Sequence, residues 1–267
     1  MLVIQHNCRK SYPITIAALE TGLKLNAAFV CLQEPYIGTY DYSHPGYNFR
    51  WPEKGIKRDK RVLIAIKKEI LTNIVIENRS DLVNHPYFLV LDIWDLSKTK
   101  QKMRRTRLIN CYDQKIGPGT AYQEGETSRR AIQDIDWHLL IQGRVILLGD
   151  FNAHSYYWNP LISNSLNEAH YLEAIIDNFD LLLNNELGAI TRPNSHDNKS
   201  IIDLTFTTSE IGPLKSWLIE EEFSTPSDHE LIVFNWTDID SNINLNHNSK
   251  EFTGWNIEEL INDQEKL

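Results

Sequence analysis

The 267-residue sequence predicts an α/β fold in which two sheets pack face to face with helices on the outside. Three observations carry that expectation. Short apolar runs of strand length recur at 2–6, 28–33, 62–66, 70–76, 87–94, 107–112, 145–149, 201–207 and 230–236, bounded by Gly, Pro, Asn or charged turns. Longer stretches with helical spacing fall between them, at 12–25, 127–142 and 168–178. Hydrophobic residues make up 42% and charged residues 24%, a globular composition with enough apolar side chains for a buried core.

The helix over 12–25 follows Ser11 as N-cap and has Pro13 in its first turn, where the missing N–H costs little. In 127–142, Ala131, Ile135, His138, Leu139 and Gln142 share one side; in 168–178, Leu172, Ile175 and Ile176 do so with Phe179. No solenoid-type repeat is visible. After Trp236 the strand signal gives way to Asn, Asp and Glu. The chain therefore reads as one domain over 1–236, followed by an acidic polar linker and a helix stub over 237–267.

The net charge is −9, and it is unevenly spread. Residues 218–267 hold twelve acids and two bases, a balance of −10 that leaves +1 for the rest. Two basic clusters lie in that larger part, Lys54–Lys68 and Lys98–Arg107, the second with six bases and no acid. Such clusters track a phosphate backbone or form a solvated hairpin tip. Cys8, Cys31 and Cys111 are odd in number and widely spaced, which argues against a disulfide framework or a zinc finger and for a reducing compartment. No apolar run approaches the ~18–20 residues of a membrane span, so no membrane partner is expected.

The chemistry sits where apolar strands stop. Asn7 closes the first run, Glu34 follows the second, Tyr112 ends Leu108-Ile109-Asn110-Cys111, and Asp150 and Asn152 follow Val145–Gly149. Asp203 lies inside Ile201–Phe206, and Asp228-His229 precede Leu231–Phe234. Taken singly, each acid is a turn former or a helix cap. Asp203 is the exception, because an acid flanked by apolar residues on a strand needs a partner once buried. His229 is the natural one, since a carboxylate orients an imidazole and raises its basicity. Together the set describes one acidic cleft. Glu34, Asn7 and Asp228 are hard oxygen donors of the kind Mg²⁺ or Mn²⁺ takes. Asp150 can accept a proton from water, Asn152 can hold that carboxylate or a phosphate oxygen, and protonated His229 can stabilise a pentacovalent phosphoryl group. These residue types point to metal-assisted hydrolysis of a phosphate ester.

Leu148-Gly149-Asp150-Phe151-Asn152-Ala153-His154 and Ser227-Asp228-His229, with Asn7, Gln33-Glu34, Tyr112 and Ile202-Asp203 in the same order, resemble the endonuclease/exonuclease/phosphatase superfamily. The likeness spans residues 7–229, about five-sixths of the chain. Gln5-His6-Asn7-Cys8-Arg9-Lys10-Ser11, Leu32-Gln33-Glu34-Pro35-Tyr36, Trp158 and Ile202–Phe206 resemble more closely the endonuclease domain of non-LTR (LINE-type) retrotransposons.

The resemblance implies a four-layered α/β sandwich of the DNase I-like kind, a divalent metal and double-stranded DNA as substrate. It implies nicking that leaves a 3′-hydroxyl to prime reverse transcription, action in the nucleus, and a reverse transcriptase domain in the same polyprotein. By carry-over, Glu34 binds metal with Asn7 and Asp228, Asp150 activates water, Asn152 and Tyr112 contact the phosphate, and Asp203 and His229 form a dyad. The basic hairpin is expected near the cleft, with Lys102, Arg104 and Arg105 on DNA phosphates.

Two departures weaken a DNA-repair reading. Arg9 stands where abasic-site endonucleases carry an acid, and Tyr112-Asp113-Gln114-Lys115 replaces their Tyr-x-Pro-Asn. The alternatives are a phosphomonoesterase or lipid phosphodiesterase on the same scaffold, and a catalytically inactive retrotransposon remnant. Every expected position is filled, which argues against the remnant.

Overall fold

The computed structural model describes residues 1–38, 43–55, 59–96, 104–116, 129–193, 199–223 and 225–236. The linker and helix stub expected over 237–267 lie outside them, as does Lys102.

The first sheet contains β1 (Leu2–Asn7), β2 (Phe29–Gln33), β3 (Tyr47–Arg50), β4 (Val62–Lys67), β13 (Lys215–Ile219) and β14 (Ile232–Asn235), in the order β13-β14-β1-β2-β4-β3. The second contains β5 (Ile74–Asn78), β6 (Phe88–Asp95), β7 (Arg105–Tyr112), β10 (Val145–Asp150), β11 (Leu182–Leu183) and β12 (Asp203–Thr207), in the order β11-β12-β10-β7-β6-β5. Each sheet has one parallel pair, β1 with β2 and β7 with β10, among antiparallel neighbours. Helix α1 (Tyr12–Lys24) makes the crossover that a parallel β1–β2 pair requires.

The strands read as continuous apolar runs because both of their faces are covered. In β2, Phe29 and Cys31 face the space between the sheets, where Val62, Ile64, Leu89, Leu91, Leu108, Ile146 and Leu148 meet them. Val30 and Leu32 face outward onto Ile14, Ala18 and Leu19 of α1. The outer face of the second sheet, with Ile109, Val145, Leu147 and Phe206, packs on Trp137, Leu140, Leu172 and Ile175. The last four come from α2 (Trp137–Leu140) and α3 (His170–Asn178). Helix, sheet, sheet, helix gives the four layers expected from the sequence.

Three expectations need correction. The run 70–76 is not one strand: a 3-10 turn over Lys68–Thr72 precedes β5. The single helix expected over 127–142 is broken, within the described residues 129–142, into β9 (Arg129–Arg130), paired with β8 (Lys115–Ile116), a 3-10 turn over Ala131–Asp134 and α2. The Asp113 carboxylate takes the Ile132 N–H and the Asp136 carboxylate caps a new helix at His138 N–H, so local side-chain acceptors outbid one continuous helix. Ser11 stands at the N-cap of α1 as expected, with no capping bond from its side chain.

The third correction concerns the basic hairpin. Residues 97–103 lie outside the described residues; Trp94 pairs with Arg105, which puts Arg105 at the opposite end of β7 from Tyr112. Seven strand residues place Arg105 roughly 23 Å from Tyr112. Arg104 and Arg105 are thus at the far end of the sandwich, where Arg105 and Arg107 serve the buried Asp92 carboxylate and the Gln142, Leu139 and Leu140 carbonyls. No helix among the described residues is long and apolar enough to cross a membrane.

Candidate active site

Strand register gathers the polar groups. In the second sheet Asp150 lies beside Tyr112 on one neighbour and opposite Asp203 on the other. In the first sheet Asn7 pairs with Gln33, and Glu34 follows it at the same edge. Asp228 and His229 come from the loop before β14.

Asp150 sits at the centre and is 1% exposed. Its Oδ2 accepts from Asn7 Nδ2 at 2.8 Å across the two sheets, and its Oδ1 from Asn152 N–H at 3.0 Å. Burial and the neighbouring Asp203 carboxylate raise its pKa to about 7, against the pull of His229 and the two hydrogen bonds. His229 bonds through Nδ1 to Asp203 Oδ2 at 2.8 Å, while Nε2 lies 4.0 Å from Asp150 Oδ2. Burial works against charge on this imidazole, but Asp203, then Asp150 and Asp228, outweigh it and lift its pKa to about 9. His229 is therefore an imidazolium at neutral pH.

Asp203 is itself held at its backbone. Thr191 Oγ1 accepts from the Ile202 and Asp203 N–H groups, and Asn185 Nδ2 donates to the Asp203 carbonyl. Ser227 Oγ donates to the Asn7 carbonyl and accepts from His229 N–H, which ties the His229 loop to the end of β1.

Glu34 adopts a positive φ of 44°, and its Oε1 lies 3.0 Å from Lys10 Nζ. The Tyr112 hydroxyl hydrogen-bonds to the Glu34 carboxylate; burial, then Glu34 and Asp150, push the phenol pKa far up, so it remains an O–H donor. Asp228 is bound by Arg192, with Nε at 2.8 Å and Nη2 at 2.7 Å, and by Arg9 Nε at 3.3 Å. The Asn7 amide oxygen accepts from Arg9 N–H, which leaves one lone pair for any further ligand. Asp150, Asp203 and His229 bring their ligand atoms within 4.8 Å of one another. The imidazolium within this trio marks it as a set for moving protons and stabilising charge rather than for holding a cation.

Several supporting groups carry no motif of their own. Arg130 donates to Asp113 Oδ2 at 2.9 and 2.6 Å and to the Phe151 and Asn152 carbonyls at 2.5 and 3.2 Å. Asn152 Nδ2 donates to the Asp113 carbonyl, so the Asp113–Arg130 pair fixes the turn that follows Asp150. Beneath the cleft, Gln5 Nε2 donates to the Gly149 carbonyl and Gln5 Oε1 accepts from Thr205 Oγ1. Gln33 Nε2 donates to Asn110 Oδ1, whose Nδ2 donates to the Leu32 and Leu63 carbonyls. Gly149 is required by contact, since a Cβ there would lie 2.1 Å from the Cys111 carbonyl oxygen. A polar residue inside an apolar run is the sequence signal that marks Asn110, Gln5 and Gln33; Arg130 has none.

Residues 106–233 match the family described as Endonuclease-reverse transcriptase. No curated protein matches the sequence. Among solved structures, the endonuclease domain of TRAS1, a telomere-specific non-LTR retrotransposon, is similar with a TM-score of 0.66 at 18% identity, covering 88% of this chain and 98% of that one. The catalytic domain of Xenopus laevis APE2 gives 0.61 at 18% identity, covering 88% and 91%. The 3′-5′ exonuclease NExo from Neisseria meningitidis gives 0.53 at 16% identity, covering 88% and 99%. The match over 106–233 takes in just under half of the chain, and the fold is one this chain shares with the TRAS1 endonuclease domain and the other similar structures.

Proposed function

We propose that this chain is a divalent-metal-dependent DNA endonuclease that leaves a 3′-hydroxyl nick, the step that primes reverse transcription in a non-LTR retrotransposon. The observation that carries the proposal is the convergence of a buried carboxylate, Asp150, and a charged imidazole, His229, on one cleft edge beside Glu34 and Tyr112.

Asp150 takes a proton from water as the water oxygen attacks phosphorus. The P–O3′ bond breaks, and the 3′-oxygen leaves with the electron pair and gains a proton from solvent. Asn7 and Asn152 orient the Asp150 carboxylate and leave its remaining lone pairs toward the water. His229, held by Asp203, offers Nε2–H and a positive charge to the equatorial oxygens. Tyr112, whose single O–H faces Glu34 in the free cleft, would turn it to the same phosphate when DNA is bound. Glu34 Oε1 faces the flexible Lys10 ammonium at 3.0 Å and the Asn7 amide oxygen keeps one lone pair, so these oxygen donors fit a hard cation. Glu34 and Asn7 would hold it, with Asp228 beside them, and the ion would supply positive charge against that growing on the scissile phosphate.

The test is relaxation of supercoiled plasmid with Mg²⁺ or EDTA, beside Asp150→Ala and His229→Ala. Metal-dependent nicking lost in both variants supports the reading, as does extension of the nick by a polymerase without end repair. Hydrolysis of small phosphate esters with DNA left intact would assign the cleft to a phosphomonoesterase instead.

A further inference from the structure

We propose that Arg9 and Arg192 form a subsite for a DNA backbone phosphate next to the one that is cleaved; the subsite presupposes the endonuclease reading above and narrows its substrate to an internal phosphodiester.

The two arginines come from different loops and converge on one carboxylate. Arg9 lies two residues past the end of β1, and Arg192 lies on the segment that leads toward β12. Both reach Asp228, with Arg9 Nε 3.3 Å from Oδ1 and Arg192 Nε and Nη2 2.8 and 2.7 Å from Oδ2. One carboxylate against two guanidiniums leaves a net charge of +1, and the two guanidiniums carry more N–H donors than one carboxylate can accept. Their side chains are 53% and 35% exposed, whereas Asp228 beneath them is 19% exposed. The acid anchors the pair and the guanidinium edges face outward, an arrangement suited to a bidentate oxyanion.

Position selects the ligand. His229 Nε2 lies 3.8 Å from Asp228 Oδ1, so the arginines border the imidazolium rather than replace it. Arg192 also lies within the electrostatic reach of Asp150 and Asp203. The scissile phosphate already has His229 and Tyr112, so a second anion bound here is the neighbouring phosphate of the same strand. A phosphomonoester has no such neighbour.

The backbone supports the same assignment. Of the seven non-glycine residues with positive φ among the described residues, four border this cleft: Arg9, Lys10, Glu34 and Asn152. Arg9 and Lys10 are consecutive, at 49° and 58°, a conformation disfavoured for long L side chains. It is held by Arg9 N–H on Asn7 Oδ1 and Lys10 N–H on the Glu34 carbonyl. Backbone of this kind concentrates at binding sites, where the surroundings over-determine it.

The experiment uses the full chain and a duplex with one mapped cleavage site, each flanking phosphate replaced in turn by a neutral methylphosphonate. Binding is read by fluorescence anisotropy in EDTA, and cleavage with Mg²⁺. In the wild type, one flanking substitution should weaken binding and lower kcat/KM roughly tenfold; in the Arg9→Gln/Arg192→Gln double variant the same substitution should change either by less than about twofold. The salt slope of binding should fall by roughly one to two in that variant. Arg192→Lys, which keeps the charge and the fold, should retain part of the sensitivity. Equal loss in wild type and double variant at every substituted phosphate would overturn the subsite. Discrimination in binding without any cleavage would leave the subsite standing and remove the endonuclease reading.

Discussion

Asn7 of the first sheet holds Asp150 of the second, its Nδ2 donating to Oδ2 at 2.8 Å across the sandwich. The bond joins residues 143 positions apart and fixes which lone pairs of the carboxylate face the cleft. A hydrogen bond to a buried charge contributes about 1.5–3 kcal/mol. Asn7→Ala should therefore slow nicking about 10–100-fold, while single-turnover analysis shows DNA affinity little changed.

The pH profile follows from two groups. Asp150, raised to about 7, must be ionised, and His229, raised to about 9, must be charged. DNA cleavage should rise through about 7 and fall through about 9, reporting apparent values of the coupled pair. Asp203→Asn removes the carboxylate that charges the imidazole and should pull the alkaline limb downward. For stability the sign is fixed by the raised His229 value: its contribution is full below the unfolded pKa of about 6.5 and is lost as pH rises through about 9. Chemical denaturation across that interval reads it.

Arg130→Gln leaves the fully buried Asp113 without its guanidinium, a loss of roughly 3–5 kcal/mol for a broken buried pair. Adding Asp113→Asn should recover most of the melting temperature. Nicking should stay low in both variants, because the brace on the Phe151 and Asn152 carbonyls is gone. Recovery of rate together with stability would show that Arg130 acts on the fold alone.

Lys10 Nζ lies 3.0 Å from Glu34 Oε1, where a divalent cation would compete with it. The lysine is more than half exposed, so the pair contributes at most ~1 kcal/mol. Lys10→Met should bind Mn²⁺ about two- to fivefold more tightly by titration calorimetry.

Gly149→Ala places a methyl group 2.1 Å from the Cys111 carbonyl oxygen and 2.7 Å from its Sγ. Since β10 and β7 are paired here, relief requires separating two central strands. The expected cost is about 3 kcal/mol or more, read as a lowered melting temperature.

The central strands were legible because burial on both faces leaves unbroken apolar runs such as Val145–Leu148. The edge strands β3 and β13 were not, because one side of each meets solvent and segments such as Lys215–Ile219 alternate without a clear pattern. Asp150, Asp203 and His229 stood out as polar residues interrupting or ending such runs. Arg130 and Arg192 did not, since their meaning lies in partners 17 and 36 residues away. Arg104 and Arg105 misled for a related reason: charge in a sequence carries no direction, and only the pairing of Trp94 with Arg105 shows which end of the sandwich they occupy.

The polar pins between the sheets have a mechanical consequence. Gln5 precedes Asn7 by two residues, Gln33 adjoins Glu34, Asn110 precedes Tyr112 by two, Gly149 adjoins Asp150 and Thr205 follows Asp203 by two. Oily surfaces alone slide over one another at little cost, but directional bonds tolerate displacements of only tenths of an ångström. Such a joint works like dowels under a vice. Its jaws keep their alignment while the outer loops can be exchanged without detuning the bite.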